Sequence, residues 1–178
     1  MPLIESISGI RGIYDNGLNE KAAARYAYSY ISLLKDKINK KIRNNNNPIN
    51  NGNKLKIVIG TDTRPSRDIL KSAVLEVLDC DIIDVGIAST PMAEFAVRHF
   101  KADGGIIITA SHNEPYWNGF KFLDEDGAVL RPSDMEKVIK SYNKIKTLNN
   151  KIIFNKYAYK NKGINKLTIK KMKVIITI

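Results

Sequence analysis

A serine stands where an apolar stretch of the chain gives way to polar residues. From Gly104 to Lys121 the chain reads GGIIITASHNEPYWNGFK. The glycines and isoleucines predict a buried strand, and the small and polar residues TASHN predict its end. Ser111 is therefore expected on a turn that leaves its hydroxyl approachable. His112, Asn113 and Lys121 lie close in sequence as candidate acid/base or orienting partners.

Two interpretations of this segment stay open on the residues alone. A connector whose serine hydroxyl only caps the backbone would contain the same residue types. A nucleophilic serine with nearby proton carriers would also use these positions. A second strand is predicted from Gly119 to Leu123, ending in the turn signal Asp126-Gly127. The segment is thus predicted to be two strands flanking one polar loop.

Two other segments present an arginine in a setting suited to anions. In SGIRG, residues 8–12, glycines on both sides predict a loop that exposes Arg11, whose guanidinium matches phosphate oxygens. In GTDTRPS, residues 60–66, a predicted strand delivers a polar loop to a helix N-terminus, where amides and the helix dipole favour anions. The simpler alternatives are a surface arginine at Arg11 and a helix cap at Ser66.

Together these motifs resemble one known family. SGIRG, GTDTRPS, the ASTP turn and TASHNxxxxNGFK resemble segments of the α-D-phosphohexomutases, which include phosphoglucomutases, phosphomannomutases and phosphoglucosamine mutases. The resemblance covers residues 4 to about 142 and the rest only loosely. It implies the first of four domains of an enzyme that interconverts hexose 1-phosphate and hexose 6-phosphate through a hexose 1,6-bisphosphate.

The resemblance implies roles for particular residues. Ser111 matches the serine that carries the phosphoryl group, and Arg11 and Lys121 match catalytic positions beside that phosphate, where cations offset negative charge. Lys121 is also a candidate for proton transfer. His112 is expected either to assist in catalysis or only to hold the loop. Arg64 matches the wall of the active site.

Three residues are expected to bind substrate or phosphate: Arg64, Asn113 and Asn118, the last also by shaping the loop. One departure from the family pattern bears on this site, because Glu114 stands where a proline usually follows SHN. An added anion near a phosphate is unfavourable unless the side chain points to solvent or pairs with a cation.

The family's cofactors are Mg²⁺ and a hexose 1,6-bisphosphate activator, but its metal, sugar and distal-phosphate loops lie in later domains. This 178-residue chain shows none of those loops, so only a phosphate on Ser111 is expected to reach a metal. The chain alone is expected to lack appreciable turnover and to need domains II–IV or a self-associated copy beside its phosphorylated hexose. The alternative is a non-catalytic module that binds a phosphosugar or a partner.

The net charge of +11 does not indicate a nucleic-acid partner. Residues 135–178 hold 12 Lys and Arg against a single acid, whereas residues 1–134 hold 17 of each sign. The basic tail is rich in Lys, Asn and Ile and contains no recognisable nucleic-acid-binding motif. The chain also lacks a signal segment and a run of about eighteen apolar residues. A soluble, cytoplasmic protein without membrane contact is expected.

Strands alternate with helices at intervals of about thirty residues, which predicts an α/β sandwich with a mixed, mainly parallel sheet. The resemblance specifies a three-layer α/β/α domain over residues 1–142. Residues 143–178 are expected to be a basic linker and a possible first strand of a truncated second domain. Helices are predicted over residues 20–42, 67–78 and 92–100 and from about residue 132, and strands over 3–7, 55–59, 81–85 and 119–123.

Overall fold

The computed structural model describes residues 3–6, 8–44 and 54–147. Those ranges contain the helices α1 (Glu20–Asn44), α2 (Arg67–Val77), α3 (Thr90–His99) and α4 (Pro132–Thr147). They also contain the strands β1 (Ile4–Ser6), β2 (Gly9–Tyr14), β3 (Gly17–Leu18), β4 (Lys56–Thr61), β5 (Asp81–Ile87), β6 (Gly104–Ile108) and β7 (Trp117–Leu123). The predicted alternation of strands and helices is confirmed.

One mixed sheet joins these strands in the order β1-β2-β7-β6-β4-β5, with the short β3 beside β2. Strands β5, β4 and β6 are parallel. Strand β7 is antiparallel to β6, and β2 is antiparallel to both β7 and β1. The predicted mixed sheet is confirmed, with its main parallel pairing in β5-β4-β6. The carboxyl ends of β4 and β6 therefore open at the same edge, which is where ligands bind in α/β sheets.

Alternate side chains of the central strands pack into two separate cores. Ile57 and Ile59 of β4 pack among residues of α1, α2 and α4, whereas Val58 between them packs with α3. Strand β6 shows the same alternation, with Ile107 in the core beside α3. Because successive strand residues point to opposite faces, α3 covers one face and the other three helices cover the other. The predicted three-layer sandwich is confirmed.

The helix N-termini differ in how they are capped. The Oδ1 of Asn19 accepts a hydrogen bond from the Ala22 amide at 3.0 Å and so caps the start of α1. Ser89 caps α3 by accepting a hydrogen bond from the Met92 amide on its Oγ at 3.4 Å. Ser66 precedes α2 but makes no capping bond with its side chain.

Helix α4 carries the chain past residue 142, the predicted end of the first domain, to Thr147. Most of the predicted linker and the predicted strand fall in residues 148–178, which lie outside the described residues. That division of the chain therefore stays a prediction. In the part of the chain that the structure describes, every helix is too short or too polar to span a bilayer.

Asp134 joins α4 to α1 and provides a test of the packing. Its carboxylate accepts hydrogen bonds from Lys37 at 2.9 Å and from Lys137 at 2.7 Å. Burial alone raises the pKa of Asp134, but the bonds from Lys137 and Lys37 outweigh it, so the pKa lies below the usual value. A lowered pKa stabilises the fold above the unfolded-state pKa, and this contribution is lost as the pH falls through the folded-state pKa.

We expect Asp134→Asn to lower the free energy of unfolding by about 1 kcal/mol at neutral pH. The difference from the wild type should begin to shrink as the pH falls below about 4, where the carboxylate of the unfolded wild type becomes protonated, and should disappear only below the lowered folded-state pKa. Urea titrations at neutral and acidic pH measure both values, with the exposed Asp68→Asn as the control. A difference that persists unchanged in acid would contradict the proposed ion pairing.

Candidate functional site

The candidate site lies at the edge of the sheet where β4 and β6 end. Residues 62–66 follow β4, and residues 109–117, which we call the serine loop, follow β6 and include the first residue of β7. The Asp62 amide donates to the Ile108 carbonyl at 3.0 Å, which joins the two segments directly. Parallel pairing of β4 and β6 thus brings together two motifs that are about fifty residues apart in sequence.

Ser111 is exposed at the first turn of the serine loop. Strand pairing continues to Thr109, whose amide donates to the Gly119 carbonyl at 2.9 Å. Thr109 then accepts the Ser111 amide on its Oγ1 at 2.9 Å. Ser111 itself has a φ of 59°, in the left-handed region that non-glycine residues seldom occupy. The serine is therefore presented on a tight turn at a strand end, as the sequence predicts, in a strained conformation of the kind that is common at functional sites.

Arg11 reaches this loop from the neighbouring strand. Its Nη1 donates to the Oδ1 of Asn113 at 3.3 Å, so two predicted site residues are brought together. The prediction that SGIRG forms a loop is wrong, because Gly9 to Tyr14 form strand β2. This segment pairs with β1 on one side and β7 on the other, so its backbone groups are used in the sheet.

Lys121 shares a face of the sheet with Arg11. Arg11 lies opposite Gly119 in the β2-β7 pairing, and Lys121 is two residues further along β7. Its neighbours Phe120 and Phe122 are buried on the opposite face, so Lys121 and Arg11 are diagonal neighbours whose backbones are roughly 7–8 Å apart. Two cations therefore lie on this face beside the serine loop.

His112 and Glu114 are both exposed in the loop. Among the described residues, the side chains of His112 and Lys121 make no hydrogen bond or ion pair. Glu114 uses its backbone carbonyl within the site, while its side chain is exposed to solvent. That exposure meets one of the two conditions under which an anion at this position is tolerated.

Arg64 is buried behind the loop, with 7% of its surface exposed. Its Nε donates to the Asp62 carboxylate at 2.9 Å. Its Nη1 and Nη2 donate to four backbone carbonyls, those of Glu114 at 2.5 Å, Trp117 at 2.8 Å, Ser111 at 2.9 Å and Asn113 at 2.8 Å. A guanidinium has five N–H donors, so none remains for the phosphate contact predicted for Arg64.

Asn118 is fully buried, with 0% of its surface exposed. Its Nδ2 donates to the Oγ of Ser66 at 2.8 Å, and its Oδ1 accepts from the Gly119 amide at 2.8 Å. A side chain without exposed surface cannot touch a substrate, so the structure does not support the predicted substrate contact. Asn118 instead fixes the loop against the start of α2, in agreement with its predicted shaping role.

Asp62 and Thr109 also contribute to the site, although neither was predicted from the sequence. Asp62 accepts from both the Nε and the backbone amide of Arg64. The spacing of an acid two residues before an arginine in a strand-end loop was the available signal. Thr109 offered a weaker signal, because a hydroxyl two residues before another polar residue is common in turns.

The described residues contain no group of three or more His, Cys, Asp or Glu side chains that could hold a metal ion. What they do provide is an exposed hydroxyl on a braced turn, with Arg11 and Lys121 on the adjoining face of the sheet. That arrangement suits a serine hydroxyl that accepts and releases an anionic group, because the nearby cations offset the negative charge.

The fold and the site define an α/β/α sandwich domain that presents a serine at a strand end beside cationic side chains. Residues 4–149 match the family model described as phosphoglucomutase/phosphomannomutase, alpha/beta/alpha domain I. The chain belongs to this family and is its domain I, so the predicted family is confirmed.

Similar proteins span much more than this chain. A phosphoglucomutase/phosphomannomutase of Thermococcus kodakarensis is 39% identical over 69% of this chain, which covers 25% of that protein. A phosphoglucosamine mutase of Alkaliphilus metalliredigens is 38% identical over 83% of this chain and is covered over 30% of its length. A phosphoglucomutase/phosphomannomutase family structure from Burkholderia thailandensis shares the fold, with a TM-score of 0.62, 24% identity, and coverage of 80% of this chain and 31% of that one.

Proposed function

We propose that this chain is the phosphoserine domain of a phosphohexomutase, an enzyme that interconverts hexose 1-phosphate and hexose 6-phosphate through a hexose 1,6-bisphosphate. The observation that carries the proposal is the exposed Ser111 on its braced strand-end turn, with Arg11 hydrogen-bonded to the same loop. Membership of the family supports it.

In the proposed reaction, the Oγ of Ser111 attacks one phosphorus of the bisphosphate. The new O–P bond replaces the P–O bond to the sugar, and the serine proton ends on the released sugar oxygen. In the full cycle, the phosphoserine first donates its phosphoryl group to the free hydroxyl of one hexose monophosphate, and the proton of that hydroxyl returns to the Oγ of Ser111. The bisphosphate so formed then returns the phosphoryl group from its other position, which leaves the isomeric monophosphate. Dividing the reaction in this way stores the phosphoryl group on the protein. Arg11 and Lys121 would offset the charge of the transferred group, and Lys121 or His112 would carry the proton.

Members of the family are generally Mg²⁺-dependent. The described residues do not assemble a ligand set for this ion. In our proposal Ser111 contacts Mg²⁺ only through its phosphate.

We also propose that the chain alone lacks appreciable turnover as a mutase. Its phosphate-facing cations lie on one face of one domain, and a single wall cannot orient both ends of a sugar bisphosphate. Domains II–IV, or a self-associated copy, would supply the rest of the site. The chain spans 25% and 30% of the length of the two relatives described above.

The test is to incubate the chain with glucose 1,6-bisphosphate and to map phosphorylation by mass spectrometry. We expect phosphorylation of Ser111 without multiple turnover in a coupled mutase assay. Arg11→Met should slow phosphorylation by about tenfold or more, because it removes a cation beside the transferred group. Arg67→Met is the matched control, since Arg67 contacts the Thr63 carbonyl and Asp68 but not the serine loop. An unchanged rate in Arg11→Met would contradict the assigned role.

A non-catalytic module is the alternative function, and one surface favours it. Ile87, Met92 and Phe95 are 58%, 60% and 59% exposed on β5 and α3, which is unusual for large apolar side chains. Saturable binding of a hexose phosphate or of a partner protein, with no phosphorylation of Ser111, would favour this alternative over the enzyme.

A further inference from the structure

The serine loop has few hydrogen bonds of its own. Within it, the Asn113 amide donates to the Ala110 carbonyl at 3.2 Å and the Trp117 amide donates to the Glu114 carbonyl at 2.9 Å. The sheet pairing that orders β6 and β7 ends at Thr109 on one side and resumes at Trp117 on the other. Between these points the Ala110 and Glu114 carbonyls accept those two bonds and the Tyr116 carbonyl accepts a bond from the Tyr14 amide, so the other carbonyls need partners from elsewhere in the protein.

Arg64 supplies those partners from a single side chain. Its two terminal nitrogens reach carbonyls at four positions of the loop, 111, 113, 114 and 117. The planar guanidinium holds its donors in a fixed geometry, so the four carbonyls are fixed relative to one another as well. Arg64 therefore replaces the missing sheet pairing in this part of the chain.

The same contact stabilises the strained turn at the reactive residue. Ser111 has its amide bonded to Thr109 and its carbonyl bonded to Arg64. A left-handed serine persists only when its surroundings over-determine it. With both backbone groups of Ser111 engaged, the direction in which its hydroxyl leaves the loop depends on Arg64.

The burial of Arg64 is compensated locally. Asp62 supplies a carboxylate bound to the guanidinium, and its backbone amide joins it to β6. An unpaired buried cation would be strongly unfavourable, but an arginine with every donor used is not. The Asp62–Arg64 pair therefore holds the backbone of the serine loop. Arg64 has no N–H donor left to bind an anion from solvent.

We propose that Arg64, anchored by Asp62, is a positioning residue that sets the conformation of the serine loop for phosphoryl transfer. The catalytic half of this statement rests on the proposed function; the structural half does not. Arg64 acts through the backbone of Ser111 and makes no contact with the phosphate.

This role makes a specific prediction for lysine at this position. Arg64→Lys keeps the positive charge but places all its donors on one atom, which cannot reach four separated carbonyls and a carboxylate together. Arg64→Lys should therefore lose the positioning of the serine loop as completely as Arg64→Met does. A residue that served only as a charge near the phosphate would be partly replaced by lysine.

The experiment compares Arg64→Lys, Arg64→Met and the control Arg67→Met by amide hydrogen exchange and by the rate of Ser111 phosphorylation from glucose 1,6-bisphosphate. In both Arg64 variants we expect exchange at the amides of Ser111, Asn113 and Trp117 to accelerate by about tenfold or more, with amides of β4 and β6 unchanged. Phosphorylation should fall by a similar factor in both. The control should match the wild type.

Wild-type exchange in the loop of Arg64→Met, or full phosphorylation of Arg64→Lys, would overturn the proposal. If the wild-type chain is not phosphorylated at all, the proposed function fails, while the exchange data still test the positioning role. Should Arg64→Met unfold globally, Asp62→Asn keeps the arginine and removes only its carboxylate. That variant is expected to accelerate loop exchange by a smaller factor than the loss of Arg64, and unchanged exchange in it would count against the anchor.

Discussion

Ser111→Gly is expected to abolish phosphoryl acceptance while leaving the chain as stable as the wild type or more stable. The hydroxyl is lost, so no covalent phosphate can form at this position. Ser111 has a φ of 59°, and glycine adopts that conformation without the cost that a side chain brings. The relief is partly offset by the greater freedom of glycine in the unfolded chain, so the free energy of unfolding should rise by about 0–1 kcal/mol.

The measurement pairs urea unfolding with mapping of phosphorylation after exposure to glucose 1,6-bisphosphate. Ser111→Ala separates the two effects, because it removes the hydroxyl but keeps the strained conformation. Lys101→Gly is the matched control: Lys101 has a φ of 48° beyond the end of α3, so it should gain similar stability and keep full phosphorylation. Clear destabilisation by Ser111→Gly would show that the serine side chain supports the fold, contrary to this account.

Much of the fold could be predicted from local patterns. The isoleucines of β6 and the apolar run of β4 fill both cores, and buried strands of this kind are visible as short apolar stretches bounded by polar turns. The position of Ser111 follows from the same pattern, since a strand end must precede the polar residues. The turn that carries Ser111 could be predicted because its position depends on residues that are neighbours in the sequence.

The conformation of the SGIRG segment could not be predicted in this way, because its glycines serve packing between elements. A Cβ on Gly12 would lie 2.8 Å from a methyl group of Leu3 and 3.0 Å from the Cβ of Leu18. A Cβ on Gly9 would lie 2.2 Å from the Phe120 carbonyl oxygen. Glycine in a strand often marks such a close approach, yet in the sequence alone it resembles a loop signal.

The roles of Arg64 and Asn118 depend on partners distant in sequence. Arg64 bonds to carbonyls about fifty residues further along the chain, and Asn118 bonds to Ser66. Their motifs predicted the correct edge of the sheet, but residue type alone does not show whether an arginine faces an anion or a backbone. Burial decides between these, and burial follows from the pairing of β4 with β6 and of β6 with β7.

Gly119→Ala is expected to lower the free energy of unfolding by about 3 kcal/mol. The added Cβ would lie 2.1 Å from the Ile10 carbonyl oxygen and 3.0 Å from the Thr109 carbonyl oxygen. Both contacts are with backbone, that of β2 at Ile10 and that of the residue following β6 at Thr109, so neither can be relieved by rotating a side chain. Strand β2 or β6 must therefore move away from β7.

That movement should also separate the parts of the site, because β2 carries Arg11 and β6 leads into Ser111. Gly86→Ala provides the matched control: Gly86 has a φ of +67° but no atom within 4 Å of the added Cβ, so only the conformational cost of about 1 kcal/mol applies. Urea unfolding of both variants measures the difference. If Gly119→Ala costs no more than Gly86→Ala, the close approach of three strands at Gly119 does not constrain the sheet. If it costs more and also slows Ser111 phosphorylation in the folded fraction, the spacing of these strands sets the geometry of the site.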